Sequence, residues 1–297
     1  MPIGPPTRTT SDPTPVAHRP VTSAPLRPST ELLPAVPLDV IEIDDADDER
    51  FAQFRLNERG LATRADKRDD AGAGLFLAEG DLVVERALDA GCVAVAALVD
   101  PDRIPAVAGR FDAPVYAGGE KVRRIVSGLG MPQAIIALFR RPARPTVAEL
   151  VARCRRVVVL EAVDNPANVG AIIRNAAGLG WGGLILDHTS ADPLARRSLR
   201  VAMGTAFALP HARTTDLVGE LRRLDGVEMY AMTPHPDAID LADVVPGERV
   251  AALIGSERAG LSDELLSLAT PVRIPMAGDV DSLNAAAASA IACWALR

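Results

Sequence analysis

Residues 156–187 read RVVVLEAVDNPANVGAIIRNAAGLGWGGLILD. An apolar run, RVVVLEAV, gives way to ANVGAIIRNAAGLG, whose apolar residues recur at helical spacing, and then to a second apolar run, GGLILD. Short apolar runs bounded by turn residues predict buried strands, so the stretch predicts strand–helix–strand. The alternation continues downstream. Helices are predicted near 192–204 and 214–224, strands at 227–233 and 249–255, a short helix at 263–269, a strand at 272–276 and a closing helix. Strands alternating with helices predict an α/β fold with a parallel sheet covered on both faces.

Upstream the pattern differs. Residues 1–45 are rich in Pro, Thr and Ser and end in a cluster of acids, which predicts a disordered tail. Nine acids and four arginines fall within residues 1–50, so this segment holds most of the net charge of −7. Overall acidity therefore leaves room for a local basic patch that meets the phosphates of a nucleic acid. Residues 51–72 are polar and predicted helical, with Arg55, Arg59, Arg64, Lys67 and Arg68. LFLAEGDLVVERALDAG (75–91) predicts a strand and a helix, while VAVAALVD (93–100), APVYAG (113–118) and QAIIALF (133–139) predict short buried strands. A basic, proline-broken linker, RRPARPTVAEL (140–150), separates this small α/β unit from the second half.

Several function classes are disfavoured. No run of 18 apolar residues predicts a membrane span. The N-terminus lacks the apolar centre of a signal peptide. Cys92, Cys154 and Cys293 are odd in number and far apart, which points to a reducing cytoplasm. His18, His188, His211 and His235 show no metal-ligand spacing, so no metal is expected. GLGWGG fits G-x-G-x-x-G at Gly178, Gly180 and Gly183, yet follows a helix and precedes a strand, the reverse of a dinucleotide fingerprint. A nicotinamide-dependent oxidoreductase therefore has little support. GSERAGLS spaces Gly255 and Gly260 like a phosphate loop, but Leu261 stands where its lysine belongs.

Three stretches fall at predicted strand ends, where an open parallel sheet collects its ligands. In DNPANVGAIIRNAAGLG, Asn168 reads most simply as a helix cap and Arg174 as a surface ion-pair partner. In ALIGSERAGLSDELL, Gly255 lets backbone approach a ligand, Glu257 sits in the loop, and Ser262 is placed to cap the next helix. The third, IPMAGDVDSLNAAAASAIACWALR, has Asp281 and Ser282 as possible caps of a nearly all-alanine helix.

Taken together, N-x-G-x-x-x-R-N-A (168–176), I-G-S-E-R-A-G-L (254–261) and I-P-M-A-G-x-V-x-S-L-N (274–284) resemble the three signature motifs of the SpoU branch of the SPOUT superfamily, over residues 155–297. That family comprises S-adenosylmethionine (AdoMet)-dependent RNA ribose 2′-O-methyltransferases. The resemblance implies a tail over 1–45, an RNA-substrate-binding α/β domain over 46–145, and a methyltransferase domain over 146–297 with a C-terminal trefoil knot. A thin alanine helix suits such crowding. It implies a catalytic group of Arg174, Asn168, Glu257, Ser282 and Asn284, with Glu257 orienting Arg174. It implies an AdoMet site at Gly255, Ile274 and Leu283 with backbone groups of Leu253 and Met276, and a homodimer acting on structured RNA, rRNA rather than tRNA. Ala202 stands where the family often carries serine. Arg196, Arg197 and Arg200 either grip RNA phosphates or form a solvated basic face, Arg196 and Arg200 sharing one side of a helix. A non-catalytic RNA-binding protein that kept the fold is the alternative reading.

Overall fold

Strand burial builds two sheets. In the computed structural model, which describes residues 38–62, 74–128, 130–278 and 280–297, the first sheet comprises β1 (Val40–Glu42), β2 (Leu75–Glu79), β3 (Ala94–Val99), β4 (Val115–Ala117) and β5 (Ile135–Arg140), in the order β1-β4-β3-β5-β2. β1, β4 and β3 run parallel, and β5 runs antiparallel to both β3 and β2. Three helices accompany them: α1 (Glu58–Leu61), α2 (Asp81–Asp89) and α3 (Glu120–Ser127).

Two expectations for this region need correction. The tail was placed over 1–45, yet Val40–Glu42 pairs with β4; residues 1–37 lie outside the described residues. Within the described part of 51–72, residues 51–62, the expected helix amounts to one turn, α1, after a 3-10 turn at Glu49–Phe51. Phe51 and Phe54 are buried instead against each other, and Phe51 meets the Tyr116 ring edge-on at 5.8 Å. Aromatic burial, not helical periodicity, anchors this stretch. Arg64, Lys67 and Arg68 lie outside the described residues.

The second sheet comprises β6 (Arg156–Leu160), β7 (Gly183–Asp187), β8 (His211–Thr214), β9 (Glu228–Met232), β10 (Ile239–Asp240), β11 (Val250–Ile254) and β12 (Thr270–Arg273). Their order is β10-β12-β9-β11-β6-β7-β8, and every neighbouring pair is parallel. The helices are α4 (Val147–Arg153), α5 (Pro166–Gly178), α6 (Arg196–Val201), α7 (Leu217–Arg222), α8 (Asp263–Leu268) and α9 (Ala285–Ala295). Period-two alternation divides the strand side chains between two cores. Val158, Leu160, Leu184, Leu186, Ala252 and Ile254 enter one; Val157, Val159, Ile185, Ala251 and Leu253 enter the other.

The described residues form one compact unit, in which the two sheets share a core. Phe76 of β2 stacks on Phe139 of β5 and lies 5.6 Å from the Phe207 ring, beyond α6. Around this contact the halves are tied by charge: Arg141 donates to Asp192 at 2.5 Å, and Arg86 Nη1 donates to the Met203 carbonyl at 2.5 Å.

The alanine helix α9 lies against α5. Small side chains let the two backbones approach, and polar groups then fix the register. Asn175 Nδ2 donates to the Ala286 carbonyl at 2.8 Å and to Ser289 Oγ at 3.0 Å. Trp181 Nε1 donates to the Cys293 carbonyl at 2.9 Å, and Arg156 Nε to the Leu296 carbonyl at 2.9 Å. Burial pushes the Cys293 thiol up to about 12, so this cysteine is a small core residue rather than a nucleophile. Cys92, Cys154 and Cys293 are all free.

Candidate active site

The site forms where β6, β9 and β11 end, as an open parallel sheet leads one to expect. After β6 the chain turns through Glu161–Asn165 into α5. Asn165 caps this helix, its side chain accepting from the Ala167 amide at 3.0 Å, and Pro166 occupies the first helical position. Asn168 is therefore not the cap; it is the third helical residue, and it is buried. Its amide is free to donate elsewhere, and Nδ2 donates to Glu257 Oε1. Two residues on, Gly170 faces α6, where an added Cβ would run into the Ser198 carbonyl. A glycine is required for α5 and α6 to lie this close.

The loop after β11 is a tight hairpin. Ser256 and Gly260 exchange backbone hydrogen bonds at 3.2 and 3.0 Å. A Cβ on Gly255 would fall inside the Gly260 backbone, and Gly260 itself has φ +70°. Both glycines of the motif are thus demanded by backbone geometry. The hairpin presents Glu257.

The third component is Asn284. It caps α9, its Oδ1 accepting from the Ala286 amide at 2.9 Å, which corrects the expectation that Asp281 or Ser282 does so. Its Nδ2 donates to Glu257 Oε1 at 2.8 Å and to Asn168 Oδ1 at 3.2 Å. One side chain serves as both cap and site residue.

Beside this cluster lies a cavity of about 500 Å³. The hairpin Gly255–Leu261 forms one wall; Ile274, Met276, Asp281, Ser282, Leu283, Ala285 and Ala288 line the rest, with Met232, Thr233 and Pro234 at the end of β9. Gly255, Ile274, Met276 and Leu283 are among the residues that line it. Leu253 does not line the cavity: strand alternation turns its side chain into the opposite core, and its backbone sits between Val159 and Ala231 in the sheet. Thr233 and Pro234 were missed, because nothing in their spacing marks them; only the position of a strand end does. The volume and a lining that mixes apolar side chains with polar ones, Asp263, Asp281 and Ser282 among them, suit an adenosine-sized ligand.

Arg174 stands apart. It is exposed on α5, makes no hydrogen bond or ion pair among the described residues, and does not line the cavity. Within the chain Glu257 holds Asn168 and Asn284 rather than Arg174. Arg196 also departs from both readings offered for it. It pairs with the buried Glu79 of β2, Nε donating to Oε1 at 2.6 Å, while its backbone amide donates to Glu58 at 3.1 Å. Arg200 lies 3.7 Å from the other Glu79 oxygen. The shared face faces a carboxylate from the first sheet; Arg197 remains exposed.

Behind the site, Asp187 at the end of β7 braces the two loops that flank it. Its carboxylate accepts from the amides of Ala162, Thr189 and Ser190, each at 3.0 Å, and from both hydroxyls. Burial pushes this carboxyl up, but hydrogen bonds from Ser190, Thr189 and Ala162 outweigh it and hold it below its ordinary value. The network holds Ala162 in the left-handed region, at φ 54°. Among the described residues no group of three His, Cys, Asp or Glu side chains is placed to hold a metal ion.

The chain has counterparts among known proteins. Residues 155–294 match the model of the SpoU rRNA methylase family. A Mycobacterium bovis protein named an uncharacterized tRNA/rRNA methyltransferase is 40% identical over 271 residues, spanning 86% of this chain and 91% of that one. The chain belongs to the SpoU rRNA methylase family. Another relative, a 23S rRNA guanosine 2′-O-methyltransferase of Bacillus subtilis, is 31% identical over 78% of this chain and 92% of its own. A solved AdoMet-bound rRNA methyltransferase from Sinorhizobium meliloti is similar in fold, with a TM-score of 0.74 at 29% identity over 87% of this chain and 97% of its own. The likeness to these proteins thus extends beyond the matched segment 155–294.

Proposed function

We propose that the protein transfers a methyl group from AdoMet to a ribose 2′-hydroxyl of structured RNA, with ribosomal RNA as its substrate. The observation that carries this reading is the adjacency of the cavity to the Asn168–Glu257–Asn284 cluster. The names of the Bacillus subtilis relative and the Sinorhizobium meliloti structure support AdoMet and ribosomal RNA.

AdoMet supplies an electrophilic methyl group when bound in the cavity. The residues of the chain then position the acceptor. In-line displacement needs the hydroxyl oxygen aligned behind the methyl carbon, and alignment alone lowers such barriers substantially. Glu257, Asn168 and Asn284 fix the cavity rim, and Ser282 offers a hydroxyl there. Arg174 clamps the adjacent phosphate and stabilises the oxygen as the hydroxyl proton passes to solvent water; a permanently charged guanidinium suits that better than general base work.

The first sheet unit holds the RNA. The C-terminal segment passes through a loop of the second to form the knot. The protein works in the cytoplasm as a homodimer built on α5 and α9, whose outward faces expose Arg174 and Gly178, and Ala287, Ile291 and Trp294. Pairing covers Ile291 and Trp294 and brings Arg174 to the subunit boundary. The experiment is a titration with AdoMet, followed by mapping of ribose methylation in RNA from cells with and without the protein. Failure to bind AdoMet favours the non-catalytic RNA-binding reading.

A further inference from the structure

Glu161 is the first residue after β6, and its carboxylate is not part of the cluster that faces the acceptor. Its amide donates to the Ile254 carbonyl at 3.0 Å, carrying the ladder between β6 and β11 one residue further. Its side chain crosses to the far end of the hairpin. Oε2 accepts from the Ser262 amide at 2.7 Å, and Oε1 accepts from Ser262 Oγ at 2.8 Å. Ser262 Oγ in turn accepts from the Leu265 amide at 3.4 Å, capping α8. The Ser262 hydroxyl thus donates and accepts at once.

These contacts place the hairpin between two carboxylates. Glu257, near its tip, is held by Asn168 and Asn284; Ser262, at its far root, is held by Glu161. Every residue from Gly255 to Leu261 lines the cavity, whereas Glu161 does not. Hydrogen bonds to a charged acceptor are stronger and more directional than neutral ones, so this pair sets where the wall stands.

We infer that Glu161 is a positioning residue for the methyl donor: by latching Ser262 it fixes the hairpin wall and so sets affinity for AdoMet without touching it. The inference rests on the cavity being the AdoMet site. Glu161→Gln preserves volume but loses the charge and one acceptor, while Ser262→Ala removes only the hydroxyl. Calorimetric titration with AdoMet, methyl-transfer kinetics and thermal melting are measured on the wild type, both single variants and the double variant. Glu161→Gln is expected to weaken AdoMet binding about tenfold and to raise its KM equally, with kcat at saturating AdoMet within about twofold. Ser262→Ala weakens binding less, and the double variant loses less than the sum of the two single losses, because the contact from the Ser262 hydroxyl to Glu161 is common to both. Wild-type affinity in Glu161→Gln, additive losses in the double variant, or a fall in kcat at unchanged KM overturns the inference. If Glu161→Gln melts at the assay temperature, Ser262→Ala decides: unaltered affinity there overturns it and weakened affinity supports it. A wild type that binds no AdoMet refutes the proposed function, and the latch with it; a wild type that binds alongside an equally tight Glu161→Gln refutes the latch alone.

Discussion

Asn168 and Asn284, 116 residues apart in the chain, meet at a single carboxylate oxygen. Each donates its side-chain amide to Oε1 of Glu257, and Asn284 also donates to Asn168 Oδ1 at 3.2 Å. The first motif contributes one amide, the third the other, and the second the acceptor. Because Asn284 also caps α9, the orientation of a whole helix is coupled to this oxygen.

Glu257→Ala leaves both amides without their shared acceptor. Methyl transfer is expected to fall on the order of a hundredfold. Glu257 is exposed, so the melting temperature should move by no more than about 2 °C. Glu257→Gln retains an acceptor oxygen and should fall between the two. Radiolabelled methyl incorporation beside a melting curve checks this; an alanine variant with near wild-type rate counts against the cluster.

Arg174→Ala should remove transfer while sparing AdoMet binding, since Arg174 lies outside the cavity lining. Arg174→Lys tests the clamp. A lysine is a point charge without the planar fork, so a rate at least about tenfold below wild type is expected. A lysine variant of nearly full rate would falsify bidentate clamping.

Asp187 predicts an acid-sensitive fold. Its folded pKa is depressed, so its stabilisation is fully present above the unfolded carboxylate pKa of about 3.9 and is lost as pH falls through the folded value. Asp192, also held below its ordinary value, with burial opposed by Arg141 and the Leu194 amide, acts in the same direction. Melting temperature measured from about pH 6 down to pH 3 should drop more steeply for the wild type than for Asp187→Asn. At neutral pH the variant should be less stable by about 1–3 kcal/mol, because an amide nitrogen cannot accept from the Thr189 groups. Parallel curves for the two proteins would show that Asp187 is not the linked group.

The assembly prediction moves one helical face from where alanine content alone directed it. Ala288 lines the cavity, so Ala288→Arg would report on cofactor binding rather than on dimerisation. Ile291 is exposed at 40% on the outer face of α9. Ile291→Arg is expected to yield monomers by light scattering and to lose methyl transfer, because a charge placed in a closed apolar interface goes unpaired. An unaltered protein that is monomeric and fully active rules the dimer out.

The strands of the second sheet were legible because a fully buried parallel strand must be apolar on both faces: RVVVL and VAALI have few other ways to fold. The strands that escaped notice are short edge elements. β8 carries His211 and Arg213, β10 has two residues, and β1 follows a proline-rich stretch and runs into a cluster of acids. An edge strand needs only one paired neighbour, so its composition is weakly constrained.

The sequence by itself determined the alternating architecture, the obligatory glycines of the motifs and the family, because these follow from backbone geometry and from residues close in the chain. Only the tertiary structure decided which side chains share a partner. It turned Leu253 into one core and Ile254 into the other, made Asn165 the cap and released Asn168 to Glu257, and paired Arg196 with Glu79 across two sheets. It also joined Glu161 to Ser262, 101 residues away. A polar side chain takes the partner that burial and distance leave within about 3 Å, and linear spacing carries neither quantity.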